Sequence, residues 1–344
     1  LAQSILWIFW GVVMSDASGL LTATPPQPTP VRTVTLLAPC YNEEAVLPVY
    51  YERVRALAAS QANHAFHFLF INDGSTDGTR MILDALAKQD PRVQVIHLAA
   101  NRGHQIALTA GLDFVESDLV VVLDADLQDP PEVVTTMLEK AAAGYDVINA
   151  QRRQRDGETW FKRVSASLFY RIMQRLATRA WLADCGDFRG LSRRAVHALR
   201  QYREPHRFMR ALALELGFHQ CVIVYDRAPR AAGETKYPLS KMVKLALDAA
   251  LGFSTVPIRA IIWLSLVLWA VSLPYLGWAL YDKFILHHTV QGWTSIVMLI
   301  VFFAGLQLFC LGIIGQYVAR IFEQGQRRPL YTVMETRNLP ASPH

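Results

Sequence analysis

The chain has 344 residues, a formal net charge of +5 and 52% hydrophobic residues, enough for about two domains of roughly 150 residues each. Its four cysteines, Cys40, Cys185, Cys221 and Cys310, form no Cys-x-x-Cys pair, which argues against a metal cage or redox motif and suits reduced thiols in or facing the cytosol. The positive charge fits an anionic membrane face or a phosphorylated substrate, whereas no zinc-finger spacing or basic heptad region supports binding of nucleic acid.

Residues 1–24 hold an apolar run, Ile5–Met14, that is too short to span a bilayer and has no preceding positive residue of a signal peptide. With the stiff proline-rich linker from Pro25 to Pro30 it makes an N-terminal extension, residues 1–32. A catalytic domain over 33–237 follows. The pattern predicts strands at Thr33–Pro39, Phe66–Asn72, Val93–Leu98, Leu119–Leu123 and Asp146–Ala150. Helices fall between them at Glu43–Ser60, Thr79–Lys88, from Asn101-Arg-Gly-His-Gln105 to Phe114, and at Glu132–Gly144. This alternation argues for an α/β fold with a mostly parallel sheet and right-handed crossovers. Cys185–Leu191 reads as a strand or turn returning to the same edge, and Cys221–Tyr225 as an edge strand.

From Arg152 to Arg179 arginines and a lysine interleave with an apolar stripe that includes Trp160, Leu168 and Ile172. That pattern suits a membrane-interface helix, or equally a surface helix with a solvated basic face. Residues 238–255 read as an amphipathic juxtamembrane helix. Residues 256–319 then form a two-helix transmembrane domain. Ala260–Tyr281 and Trp293–Tyr317 carry no charge, and the first would cover about 33 Å as a helix, enough for the hydrocarbon core. Lys241, Lys244 and Arg259 precede the first span, and Arg320, Arg327 and Arg328 follow the second. The positive-inside rule therefore puts both flanks and the catalytic domain in the cytosol, with residues 320–344 as a cytosolic tail. Gly305, Gly312 and Gly315 could pack helices of two protomers into a homo-oligomer, or equally pack helices within one.

The strand Leu119–Leu123 runs straight into Asp124-Ala-Asp126-Leu-Gln128-Asp129, and Pro130-Pro131 can open the next helix. Ligands of open α/β sheets bind at that carboxyl edge. Oxygen ligands from Asp124, Asp126 and Gln128 suit Mg2+ or Mn2+, which can hold a diphosphate; an isolated Asp-x-Asp would more simply be an acidic turn. Two more loops should meet there, Pro39-Cys-Tyr-Asn42-Glu43-Glu44 and Asn72-Asp73-Gly-Ser75-Thr-Asp77-Gly.

These motifs, with Asn101-Arg-Gly-His104-Gln and Gly186-Asp187-Phe-Arg189, resemble family 2 glycosyltransferases of the polyprenyl-phosphate type. The likeness is to dolichyl-phosphate mannose synthases and, more closely, to bacterial undecaprenyl-phosphate glucosyltransferases, and it covers roughly residues 33–335. It implies a GT-A fold in a bacterial inner-membrane protein and inverting transfer of one hexose from a nucleotide-diphosphate sugar, UDP-glucose first, to polyprenyl phosphate. Pro39, Tyr41, Glu43, Asp73 and Ser75 match the nucleotide side, with Gly103, His104 and Asp124 as donor-site neighbours. Asp124, Asp126 and Gln128 match the metal site. Arg152 and Arg153 match positions that hold the acceptor phosphate, and Arg230 and Lys236 a basic loop that would close over both phosphates. Asp187 would orient the acceptor or bond a sugar hydroxyl, the alternative being a structural salt bridge with Arg189. The implied catalytic set is Asp126, Asp187, Arg152 and Arg153.

One departure is Arg102, where close relatives often have Phe; an extra cation there could alter donor preference. Two rival readings are a processive polysaccharide synthase and a non-catalytic membrane scaffold that binds nucleotide sugar or lipid. The first usually needs a Gln-x-x-Arg-Trp motif and more spans, and the second leaves an intact Asp-x-Asp set unexplained.

Overall fold

The computed structural model describes residues 30–153, 185–205, 207–226, 292–339 and scattered positions between 258 and 285. The N-terminal extension, most of the basic stretch after Arg153, the juxtamembrane helix, Arg230 and Lys236 lie outside the described residues. The chain divides into two compact units. One comprises Leu1–Gly157, Leu182–Thr235 and Pro329–His344; the other comprises Glu158–Trp181 and Lys236–Arg328.

The first unit is built on an eight-stranded sheet. In chain order its strands are β1 (Thr33–Cys40), β2 (Ala65–Asn72), β3 (Val93–Leu98), β4 (Leu119–Val122), β5 (Val147–Arg152), β6 (Cys185–Ser192), β7 (Gln220–Tyr225) and β8 (Val333–Arg337). Their order across the sheet is β7-β5-β6-β4-β1-β2-β3-β8. The helices are α1 (Leu47–Ser60), α2 (Thr79–Gln89), α3 (His104–Phe114), α4 (Val133–Ala142), α5 (Arg193–Gln201) and α6 (Met209–Glu215). Six strands run in one direction, and β6 and β8 run against them. The expected mostly parallel α/β sheet is therefore found.

The central strands are mostly apolar because both faces are covered. Leu36, Phe68, Phe70, Val95 and Val121 share one core with Tyr50 and Val54 of α1, Leu83 of α2 and Met137 of α4. On the other face α3 lies so close that a Cβ on Gly111 would come within 2.7 Å of Ile71 and Leu37 side-chain carbons. Helix α4 starts where two prolines end the preceding loop, the N–H groups of Val133 and Val134 bonding to the carbonyls of Pro130 and Pro131.

Two strands depart from the sequence expectation. β6 is a full central strand, inserted antiparallel between β4 and β5, with Arg189 opposite both Val122 and Asn149. Its reversed direction puts Gly186 and Asp187 at the carboxyl end of β4. By sequence pattern Val333–Arg337 falls in the tail over 320–344 with no strand expected; β8 pairs with β3, Leu98 opposite Val333 and Val95 opposite Arg337. As predicted, β7 is an edge strand.

In the second unit, α7 (Trp293–Gly325) is one helix of 33 residues. It continues past Tyr317, where the expected span ended, because no proline or glycine pair interrupts it. Within it Phe302–Gly325 is long and apolar enough to cross a membrane, with a mean hydropathy of 1.6. Of the other expected span, Ala260–Tyr281, the described positions 261–264, 266–268, 270, 274, 277, 278 and 281 are all helical. Among the described residues one helix, not two, meets the length and polarity needed for a span.

Candidate active site

The loops after β1 and β2 are laced together by backbone N–H groups that donate to side-chain oxygens. Asn42, in the left-handed region at φ 56°, receives the Thr76 N–H on its side-chain oxygen at 2.8 Å and donates its own N–H to Ser75 Oγ at 3.1 Å. The Gly78 N–H donates to Glu44 Oε2 at 2.6 Å, and the Glu43 N–H to Thr79 Oγ1 at 2.9 Å. Asp73 is buried and binds a third loop, accepting the N–H groups of Arg102 at 2.7 Å and Gly103 at 2.8 Å. Burial raises its pKa against the pull of those two donors. Gly74 permits this junction, with φ 65° and a missing Cβ that would lie 2.6 Å from the Asn101 nitrogen. Tyr41 is exposed at the rim, while Pro39 and Glu43 are half-buried.

At the end of β4 the chain turns through Leu127, at φ 57°, and the Gln128 N–H donates to Asp126 Oδ1 at 3.1 Å. The side chain of Asp124 is half-buried. Its Oδ1 atom is enclosed and accepts no hydrogen bond, and His104 Nε2 stands 3.7 Å away. Burial pushes the Asp124 pKa up to about 6; His104 opposes that, and the neighbouring Asp187, Asp129 and Asp126 add to it. The donor set of carboxylate oxygens and the unsatisfied Oδ1 fit a hard divalent cation. Among the described residues no three His, Cys, Asp or Glu side chains converge on a single metal position. Asp124 and Asp126 would thus need Gln128 or substrate oxygens to complete a coordination shell.

Beside them, Asp187 is held from three sides. Arg210 grips it bidentately, Nε to Oδ1 and Nη2 to Oδ2, both at 3.1 Å. Its Oδ2 also meets His104 Nε2 at 3.3 Å and Gln105 Nε2 at 3.2 Å. Burial would raise the Asp187 pKa, but His104 and Arg210 overcome it and hold the group well below the usual carboxylate range. His104 is raised in turn, burial being outweighed by Asp187 and Asp124. The salt-bridge alternative with Arg189 is corrected by this geometry. The partner is Arg210, while the buried Arg189 donates to the carbonyls of Gly186 at 3.0 Å and Met209 at 3.3 Å.

Arg152 lies at the end of β5. Its Nε donates to the Tyr225 hydroxyl at 3.2 Å, its Nη2 stands 3.8 Å from Asp129 Oδ2, and Tyr225 donates to Asp129 Oδ1 at 2.5 Å. A Cβ on Gly186 would lie 2.7 Å from Arg152 Nη2, so that glycine gives the guanidinium its room. Arg153 is exposed and pairs with Asp226 at 3.1 Å.

The sheet edge thus brings together Asp73, Ser75, Gly103, His104, Asp124, Asp126, Gln128, Arg152 and Asp187. Sequence reasoning missed Arg210, Gln105, Asp129 and Tyr225. Asp129 and Gln105 belong to the quoted Asp-Ala-Asp-Leu-Gln-Asp and Asn-Arg-Gly-His-Gln runs and could have been found there; Arg210 and Tyr225 make their contacts across long sequence separations.

Comparison with known proteins shows the family of the chain. A profile described as Glycosyl transferase family 2 matches residues 35–200. The uncharacterized glycosyltransferase YkcC of Bacillus subtilis (strain 168) is 39% identical over 302 residues, 88% of this chain and 93% of that protein. The bactoprenol glucosyl transferase of Shigella phage SfV is 35% identical, over 87% of this chain and 97% of that protein. The SfII prophage-derived bactoprenol glucosyl transferase of Shigella flexneri is also 35% identical, over 88% of this chain and 98% of that protein. The chain belongs to family 2 of the glycosyltransferases.

Proposed function

We propose that the chain is a membrane-anchored inverting glycosyltransferase of the bacterial inner membrane. It moves one hexose, glucose first among the candidates, from a nucleotide diphosphate such as UDP to polyprenyl phosphate at the cytosolic face. Near-full-length similarity to proteins named bactoprenol glucosyl transferases supports the acceptor class. The observation that carries the reading is the state of Asp187. A hydroxyl acceptor needs a general base whose pKa lies near the working pH. Asp187 has both oxygens engaged, by Arg210, His104 and Gln105, so it is placed to hold those groups rather than to take a proton from a hydroxyl. A phosphate acceptor is already ionised and needs none, so positioning and electrostatics carry the reaction.

In this reading Asp124, Asp126 and Gln128 would hold Mg2+ or Mn2+, which when bound neutralises the donor diphosphate and stabilises it as a leaving group. The laced loops with Pro39, Tyr41, Glu43, Asp73, Ser75 and Gly103 hold the nucleoside. Arg152, oriented by Tyr225 and Asp129, presents its guanidinium to the lipid phosphate, with Arg153, Arg230 and Lys236 adding charge. One phosphate oxygen attacks the anomeric carbon, a new carbon–oxygen bond forms as the bond to the diphosphate breaks, and no proton needs to move. Asp187 stays an anion and orients His104 and Arg210 at the reacting centre.

The test is transfer by the purified full-length protein in detergent. Undecaprenyl phosphate and Mg2+ or Mn2+ are supplied with a panel of labelled nucleotide sugars, with and without chelator. A chelator-sensitive glycolipid from one donor is the expected product. Absence of lipid product from every donor, with nucleotide binding intact, would sink the proposal.

A further inference from the structure

A polar chain, buried at its centre, runs from β8 to the loops after β1 and β2. The Ser75 N–H donates to Asn72 Oδ1 at 3.0 Å, and Asn72 Nδ2 faces His97 Nδ1 at 3.0 Å. On the far side of the ring, His97 Nε2 lies 3.3 Å from Asp84 Oδ1, which also accepts Arg337 Nε at 2.9 Å. Arg80 of α2 completes the group, 3.0 Å from Glu335 of β8. Asn72 and His97 are 3% and 1% exposed, so water cannot substitute for a lost partner there. An amide nitrogen donates only, so His97 Nδ1 must accept, and the remaining proton on Nε2 points to Asp84. Burial lowers the His97 pKa and favours this neutral ring.

We propose that β8 and His97 form a latch for the nucleotide donor: Arg337 and Asp84 fix the His97 tautomer, His97 fixes Asn72, and Asn72 sets the loop that presents Ser75 to Asn42. His97, Asp84 and Arg337 are then positioning residues for donor binding, although none of them reaches the sheet edge. A polar chain in an otherwise apolar sheet is costly unless every member is paired, and here each pairing step leads toward the loop. The inference rests on the reading that the loops after β1 and β2 bind the nucleotide.

Two substitutions of His97 separate a latch from a packing role. His97→Asn offers an oxygen where Nδ1 stood and can still accept from Asn72. His97→Gln reaches Asp84 but leaves Asn72 without its acceptor. His97→Asn removes more volume than His97→Gln and should lower thermal stability at least as much, so a donor effect confined to His97→Gln cannot come from lost packing. The measurement is UDP affinity by calorimetry and transfer kinetics on full-length protein. His97→Gln should weaken UDP binding and raise the donor KM about tenfold, the loss of one buried hydrogen bond, with kcat and the lipid KM little changed. His97→Asn should stay near wild type in donor KM, and Arg337→Met should fall between the two. Equal donor KM in wild type and both His97 variants, with only their melting points lowered, would overturn the latch and leave the donor reading standing. A wild-type protein that binds no nucleotide would remove the donor reading and the latch with it.

Discussion

The two halves of the sheet edge are built differently. Around β1 and β2 the loops are joined mostly through backbone N–H groups, with Asn42, Glu44, Asp73 and Asp77 as acceptors. Around β5, β6 and β7 the contacts are between charged or hydroxyl side chains: Asp187 with Arg210, Arg152 with Tyr225, and Tyr225 with Asp129. Backbone lacing makes a rigid cradle whose shape is set by the chain. Side-chain pairing leaves charges that can change partner when a phosphate arrives. Under the proposed function the laced half would hold the nucleoside and the paired half the phosphates, a fixed pocket beside an adjustable one that suits transfer between two anionic substrates.

The largest expected effect tests the charged half. Arg210→Met should lower kcat by on the order of 100-fold or more, because Asp187 loses its fixed orientation. It should also destabilise the protein by about 2 kcal/mol, less than a fully buried pair since Arg210 is partly exposed, by leaving a buried carboxylate short of a partner. Adding Asp187→Asn should return most of that stability and none of the rate. Additive losses of stability in the double variant would mean that the two groups are not coupled. The laced half breaks differently. Gly74→Ala meets backbone atoms of Ala100 and Asn101 that cannot yield, at a φ that disfavours a side chain. We expect about 2 kcal/mol of lost stability with weaker UDP binding and an unchanged lipid KM, read by thermal melts and calorimetry.

The same contrast explains what could be read from the sequence. The β1–β4 strands are apolar runs with turn residues behind them, and the expected strand ends lie within a few residues of those observed. Asn42, Asp73 and Asp124 stand directly after strands, where local pattern alone puts them at the sheet edge. β6 was legible only as a strand or turn, because Cys185-Gly-Asp-Phe-Arg interrupts its apolar run with two charges that are buried by pairing. β8 was illegible, since Val333–Arg337 has two charges in five residues and is a strand only because β3 offers an open edge. Arg210 carries no local mark; its meaning comes from Asp187, 23 residues away in sequence.

A smaller effect probes the junction of the two halves. Gly186→Ala would press a methyl against the far end of the Arg152 side chain, which can swing away at little loss of stability. The guanidinium then leaves the position set by Tyr225. The lipid KM should rise about fivefold to tenfold while the donor KM and the melting point hold. A rise in donor KM instead would assign Arg152 to the diphosphate rather than to the lipid phosphate.

The smallest expected effect concerns His97 and the pH dependence of stability. The groups that face it are Asp84 and Arg80 from α2 and Arg337 from β8, with neutral Asn72 on the other side. Burial holds its folded pKa below the ordinary 6.5, Asp84 pulls it up, and the two arginines push it down. In the unfolded chain it takes up a proton near 6.5, so as the pH falls the unfolded state binds more protons than the folded state. The contribution of neutral His97 is therefore complete above pH 6.5 and is lost as the pH falls through the folded value. His97→Asn has no such proton to gain. The stability gap between wild type and this variant should be largest above neutrality and should narrow on acidification, as measured by melts of both proteins from pH 7.5 to pH 5. A gap that widened toward acid would mean that the folded protein holds His97 charged. Its Nδ1 could then not accept from Asn72, and the loops after β1 and β2 would owe their order to backbone lacing alone.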